Sequence, residues 1–341
     1  MLRKKCLIVF CLLCATTLYS QDVHFSQYHQ FPLMINPAYT GNYNGLFRAS
    51  AMYRNQYFSI PNSNGGTYQT IGLYADGSVF SKRISPDRFN IGLNLYSDHA
   101  GEGSLTSQEA LFSISYIKST DRSNRSAIAL GMQGGAVFKR VFVNDLLFES
   151  QIENFGFNPN LFNGETNIDG RTMIYPDFNI GVIWQQEASN FISYYVGGSV
   201  YHIGEPNETF YRDSLNFIPR RFNFHGGVDV NVNDEIVIAP SFLFMQQGSA
   251  MQLNAGCSFK YQFENNILGY FLVRYRGFSD AIILGMGAEK GSFRGSISYD
   301  FTTSNLSLAN SGQGGVELSI TYTYKHDRNT RRRRDQFCPS Y

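Results

Sequence analysis

The chain has 341 residues, 15% of them aromatic and 16% charged, with 32 glycines and a formal net charge of +1. After the signal-like start no apolar run is long enough for a helix to cross a membrane, and the balanced charge argues against nucleic acid as a partner. Abundant glycine with many aromatics and few charges suits a β-barrel membrane protein or a large β-sandwich better than a helical protein.

At the start, Arg3-Lys4-Lys5, the short apolar run from Leu7 to Ala15 and a cut before Gln21 predict a secretory signal over residues 1–20. Its removal takes the 28 basic residues to 25 against 27 acidic, so the mature chain sits near −2. Leu13 is too large to precede a lipid-attached cysteine, which argues against Cys14 as a lipoprotein site. Cys6, Cys11 and Cys14 leave with the signal, and Cys257 and Cys338 remain. Cys257 shares its parity with Leu253, Phe259 and Tyr261 on an apolar face, so no disulfide is predicted.

Residues 21–44 form an irregular N-terminal segment. His24-Phe25-Ser26-Gln27-Tyr28, then Pro32, then Asn36-Pro37-Ala38-Tyr39-Thr40-Gly41 argue turns rather than a strand. The aromatics here need cover, and one place for them is a barrel interior, with the segment as a lumen plug.

From residue 45 to 325, fourteen segments have strand character: 45–57, 67–80, 88–98, 104–117, 126–142, 174–185, 191–203, 220–231, 236–246, 250–262, 267–276, 280–289, 293–302 and 315–325. The last shows the pattern most plainly. Val316, Leu318, Ile320, Tyr322 and Tyr324 alternate with Glu317, Ser319, Thr321, Thr323 and Lys325, giving one apolar and one polar face. A Lys or Arg on the lipid side at mid-depth costs about 2–4 kcal/mol, so the polar set must face a lumen. A strand in lipid must also belong to a closed barrel, because its backbone groups have no other partners. The predicted fold is all-β: a monomeric, transmembrane antiparallel β-barrel of about 14 strands whose last strand pairs with its first.

Connections after even-numbered strands are mostly short and polar. Several after odd-numbered strands are longer, at 61–66, 143–173, 203–219 and 303–314. Short periplasmic turns and longer outer loops are the habit of outer-membrane barrels, which puts both termini in the periplasm. The connection 143–173 carries Phe148, Phe155, Phe157, Leu161 and Phe162 among Asn and Gly, too apolar for a bare solvated loop. It is read either as a partner surface or as an inward constriction. Phe210 and Tyr211, in the connection after the seventh strand, mark a second candidate surface. The tail, residues 326–341, holds Arg328 and Arg331 to Arg334 before Phe337-Cys338-Pro339, and reads as a solvated periplasmic tail or a short docking motif.

The predicted interior face collects Arg48, Arg54, Glu109, Arg221, Asp229, Arg274, Arg276, Arg294, Asp300 and Glu317. Buried charges must be paired or hydrated, which favours a network that fixes strand register over an ion path. No catalytic, cofactor or metal site is predicted. The 6 histidines lack zinc-ligand spacing. Asp98 and His99 are adjacent on a strand and so face opposite ways. Gly131, Gly134 and Gly135 precede no helix and read as a bend or a crowded strand crossing.

Phe25-Ser26-Gln27-Tyr28, then Asn36 to Gly41, then Tyr53-Arg54-Asn55-Gln56, in this order, resemble the opening of the PorP/SprF family. These are outer-membrane proteins associated with type IX secretion and gliding in Bacteroidota. Tyr57 departs from the pattern, standing where the family often has Trp. Asn36, Pro37, Gly41, Arg54, Asn55 and Gln56 are the family-motif residues and are read as structural. The resemblance implies a barrel, embedded in outer-membrane lipid, that binds the C-terminal domain of a large adhesin-like secreted protein. It would support that protein's export or anchoring, with periplasmic secretion or motility components as further partners. A general solute channel is the alternative.

Overall fold

The computed structural model describes residues 22–58, 68–79, 87–101, 105–141, 149–153, 156–158, 161, 172–210, 215–277 and 281–324. The expected signal and the basic tail with Cys338 lie outside them.

The strands follow in order: β1 (Phe47–Gln56), β2 (Tyr68–Val79), β3 (Arg88–Ala100), β4 (Leu105–Ser119), β5 (Ser126–Arg140), the two-residue β6 (Ile152–Glu153) and β7 (Gly156–Phe157), and β8 (Thr172–Glu187). They continue as β9 (Ile192–Tyr201), β10 (Arg221–Asn231), β11 (Ile236–Gln247), β12 (Ala250–Phe263), β13 (Ile267–Gly277), β14 (Ala281–Lys290), β15 (Phe293–Thr302) and β16 (Gln313–Tyr324). All but β6 and β7 join one closed barrel, which therefore has the fourteen strands read from the sequence, with ends within two residues of expectation. β6 and β7 pair only with each other, inside the long connection after β5.

Alternation decides which way each strand faces. On β16, Glu317 is 1% exposed and Thr321 6%, whereas Leu318 is 46% and Ile320 55% exposed. The apolar residues are outside and the polar ones inside, the reverse of a water-soluble protein and the arrangement lipid requires. β1 closes on β16 antiparallel, from Phe47 opposite Tyr324 to Gln56 opposite Gly315. That register sets Arg54 opposite Glu317. Cys257 is a free cysteine on β12, opposite Pro240 of β11.

Both chain ends of the barrel lie at the end with the short turns, such as the one between Lys290 and Phe293, which by the habit of these barrels is periplasmic. The opposite end carries the long connections. Fourteen strands enclose more space than wall side chains alone can fill. The N-terminal segment occupies much of it. It cannot extend the sheet: Pro32 and Pro37 start two of its three 3-10 turns, Tyr28–Gln30, Pro32–Met34 and Pro37–Tyr39. Phe25, Phe31, Leu33, Ala38 and Tyr39 are buried in the lumen against Met52, Tyr74, Ala129 and Ile183. The N-terminal segment is therefore packed inside the barrel.

Candidate functional site: the plugged lumen and the long-loop end

The plug is held by polar contacts made from the strand residues upward. Arg54 of β1 faces the lumen because its parity matches Met52, and its guanidinium forks between strands and plug. Nη1 donates to Glu317 Oε1 at 2.8 Å and to the His24 carbonyl at 2.8 Å, and Nη2 donates to Gln56 Oε1 at 3.0 Å. Glu317 in turn accepts from the backbone N–H groups of Ser26 (2.6 Å) and Gln27 (2.8 Å). Arg276 reaches Asp300 at 2.9 Å and Ser26 Oγ at 2.7 Å. Ser26 Oγ also donates to Asp300 Oδ2 at 2.6 Å. Charged hydrogen bonds of this kind are roughly twice as strong as neutral ones, and here they fix Phe25-Ser26-Gln27 against four strands, β1, β13, β15 and β16.

The second anchor is Asn36 to Gly41. Asn36 Oδ1 accepts from the Ala38 N–H at 2.9 Å, capping the turn that Pro37 begins. This fixes which way the amide points, so Nδ2 is the donor to Val182 O (3.0 Å), Gly198 O (3.1 Å) and His225 Nε2 (3.0 Å). Since Nε2 accepts, Nδ1 carries the imidazole proton and donates to Tyr39 Oη at 2.9 Å. A Cβ at Gly181 would overlap Asn36 Oδ1, and one at Gly131 would overlap the Pro37–Ala38 peptide. Gly131 is crowded by the plug and not by a strand crossing. Gly41 sits at φ +66° and donates its N–H to Asp76 Oδ2 at 2.7 Å. Asp76 also takes a bidentate pair from Arg48, 3.0 Å to Nε and 2.8 Å to Nη2.

A third contact lies nearer the long-loop end. Asp22 pairs with His202 Nε2 at 2.6 Å and with Arg221 at 2.9 Å, while His202 Nδ1 meets Asp177 at 2.9 Å. Burial alone would raise the Asp22 pKa, but His202 and Arg221 overturn that and hold it far below the usual carboxylate range. Burial alone would lower His202, but Asp22 and Asp177 raise it to about 10.

The family-motif residues divide in the structure. Asn36, Pro37, Gly41, Arg54 and Gln56 converge on the plug, whereas Asn55 faces the other way and its Oδ1 has no hydrogen-bond partner. Of the expected partner residues, Phe210 packs against Val137, Met173, Tyr175 and Ile218. Phe157 lies on β7; Phe148, Phe155, Phe162 and Tyr211 lie outside the described residues. Among the described residues, exposed apolar side chains of the long connections include Ile152 (63%), Leu215 (76%), Phe217 (55%) and Leu308 (90%). Asp98 accepts from Thr70 at 2.6 Å and His99 meets Thr106 at 2.9 Å, so these two neighbours are turned to separate partners. Among the described residues no three His, Cys, Asp or Glu side chains gather as a metal site.

Sequence reasoning missed Asp76, Asp177, Gly181, His202 and Asp22. Asp76 was legible from its parity with Tyr74 in β2. The others depend on contacts across 25 to 180 residues of chain, and no local signal marks them.

A family model described as type IX secretion system membrane protein PorP/SprF matches residues 17–322. No curated protein matches the chain in sequence. Among solved structures, the Pseudomonas putida toluene transporter TodX superposes with TM-score 0.55 at 8% identity, covering 91% of this chain and 100% of that one. A TodX deletion mutant described as a monoaromatic hydrocarbon channel gives 0.54 at 9% identity, covering 86% and 94%. The Ralstonia pickettii toluene transporter TbuX gives 0.51 at 10% identity, covering 87% and 94%. At such identities the likeness extends to the fold: an outer-membrane barrel.

Proposed function

This chain belongs to the PorP/SprF family of type IX secretion system membrane proteins, and on that premise we propose that it serves secretion from the outer membrane by binding rather than by conduction or chemistry. It takes the C-terminal domain of a large, adhesin-like secreted protein on its long-loop face and supports that protein's export or its retention at the cell surface, for use in gliding. The short-turn face, with the basic tail, meets periplasmic components of the secretion or motility machinery.

The observation that carries this reading is the occupied lumen. A barrel filled by its own N-terminal segment, with Arg54 and Glu317 both under 4% exposed, has its two ends to work with. Leu215, Phe217 and Leu308 stand exposed on the long connections, as apolar anchors that a partner would cover. The rival reading, a solute channel, draws on the names of the fold neighbours, whose 8–10% identity supports the fold alone.

The test is affinity purification of the full chain in detergent. Recovery of one large secreted protein, reduced several-fold by the double variant Leu215→Ser/Phe217→Ser with the barrel still folded, is the expected result. Large, constant open pores from the purified protein in a planar bilayer would overturn the binding reading in favour of the channel.

A further inference from the structure

The plug leaves part of the lumen empty. In the short-turn half, beneath Tyr28 and His29, a cavity of about 40 Å³ is lined by Tyr195, Asp229, Ser241, Ser258, Lys260, Tyr270, Arg274 and Arg294. A water needs about 10–15 Å³ in this measure, so the space holds a few waters or one small polyatomic ion.

Arg274 is what makes the cavity more than a packing gap. It is 3% exposed, and its Nε and Nη1 find no hydrogen-bond partner. The ring of Tyr28 lies 4.4 Å from its guanidinium carbon, which covers one face and leaves the donor edge unanswered. An arginine cannot shed its proton to escape burial, so these donors stay charged and unpaired unless something enters. The neighbouring cations differ in this respect. Arg294 is tied to Glu289 at 2.6 Å, and Lys260 to Asp229 at a looser 3.8 Å. The three cations and two carboxylates leave one positive charge in excess. His29 adds none: burial, then Arg274, Arg294 and Lys260, hold its pKa well below the ordinary value. Its Nδ1 is a further buried atom without a partner. Every other charged anchor of the plug described above has its counter-ion within the chain.

We propose that this cavity is a binding site for a small oxyanion, a carboxylate or phosphate group, with the guanidinium edge of Arg274 as its anchor and Lys260, Arg294 and the Tyr270 hydroxyl around it. Nε and Nη1 open onto different edges of the guanidinium, and a group with several oxygens answers more of these donors than a halide does. The site stands apart from the long-loop face and does not depend on what binds there.

The experiment uses the full chain in detergent, titrated with inorganic phosphate or with acetate against chloride at constant ionic strength, and reads the midpoint of thermal unfolding. A saturable rise with phosphate or acetate is expected, weakened about ten-fold or more in apparent affinity by Arg274→Met and unchanged by Arg220→Gln at the exposed loop arginine. Arg274→Met removes an unpaired charge and keeps the bulk, so it preserves the fold. A response to phosphate alone assigns a phosphate group as the occupant; a response to acetate assigns a carboxylate. No saturable response in the wild-type protein, an equal response to chloride, or a response that survives Arg274→Met would each overturn the proposal.

Discussion

Arg54 shows how one side chain ties the barrel to what fills it. Its five donors are shared between a strand partner, Glu317, and plug acceptors that include the His24 carbonyl. Removing one member of such a buried set leaves the other charge uncompensated, at about 3–5 kcal/mol. Arg54→Met is therefore expected to lower the thermal midpoint sharply, and the double variant Arg54→Met/Glu317→Gln to recover much of the loss; a double-mutant cycle read by thermal unfolding checks this. The Asp22–His202 contact sets a pH range. His202 is raised from 6.5 to about 10 on folding, so its contribution is full below pH 6.5 and is lost as pH rises through about 10. Asp22 is depressed from 3.8, so its contribution is present above pH 3.8 and is lost as pH falls below that. Plug protection from protease should hold between these limits and fall on the alkaline side, and His202→Gln should flatten that alkaline fall.

At the scale of elements, the plug and the wall are made for each other. Gly131 and Gly181 have no side chains because Pro37, Ala38 and Asn36 occupy the space where a Cβ would stand. Gly181→Leu should push the Asn36 turn off the wall without touching the ladder between β5 and β8, and protease should then cut residues 22–41 several-fold faster. Deleting Gln21 to Gly41 should leave a detergent-soluble barrel with raised single-channel conductance. Unchanged conductance after the deletion would mean that the segment does not seal the lumen. The strands themselves were legible because an alternating sequence such as Val316 to Lys325 has one workable orientation in lipid. Fourteen of them emerged with little error at their ends. The seat of the plug was not legible in the same way. Phe25, Phe31 and Tyr39 show that the segment needs cover, but nothing local says that Glu317 receives the Ser26 and Gln27 amides.

For the whole molecule, the inverted burial pattern governs behaviour. Ile320, Leu318 and Phe301 face outward at 44–55% exposure while Asp300 and Glu317 are 1% exposed inside. The protein should need detergent for extraction and should fractionate with outer membranes. The intact chain should give little conductance in a planar bilayer, in contrast to the plug deletion. The long-loop end is where sequence reasoning about partner contacts and the structure diverge most. Phe210 looked like an exposed anchor by composition, yet it folds back on Val137, Met173, Tyr175 and Ile218, and Leu215 and Phe217 take the outward positions. A loop has no period, so its sequence does not say which aromatic turns inward.

The sequence by itself determined the barrel, its strand count, the inward side of the strands that alternate well and the closure of β16 on β1, because period-two alternation and the cost of unpaired backbone in lipid leave one solution; a strand apolar on both sides, such as β11, did not declare its faces. It also marked Arg54 and Asn36 to Gly41 as residues of structural weight. Only the tertiary structure decided which charges meet: Arg54 with Glu317, Arg276 with Asp300, Asp22 with His202, and Arg274 with no carboxylate among the described residues. Those pairings join residues far apart in the chain, and they follow from how the closed wall and the threaded segment share one confined volume.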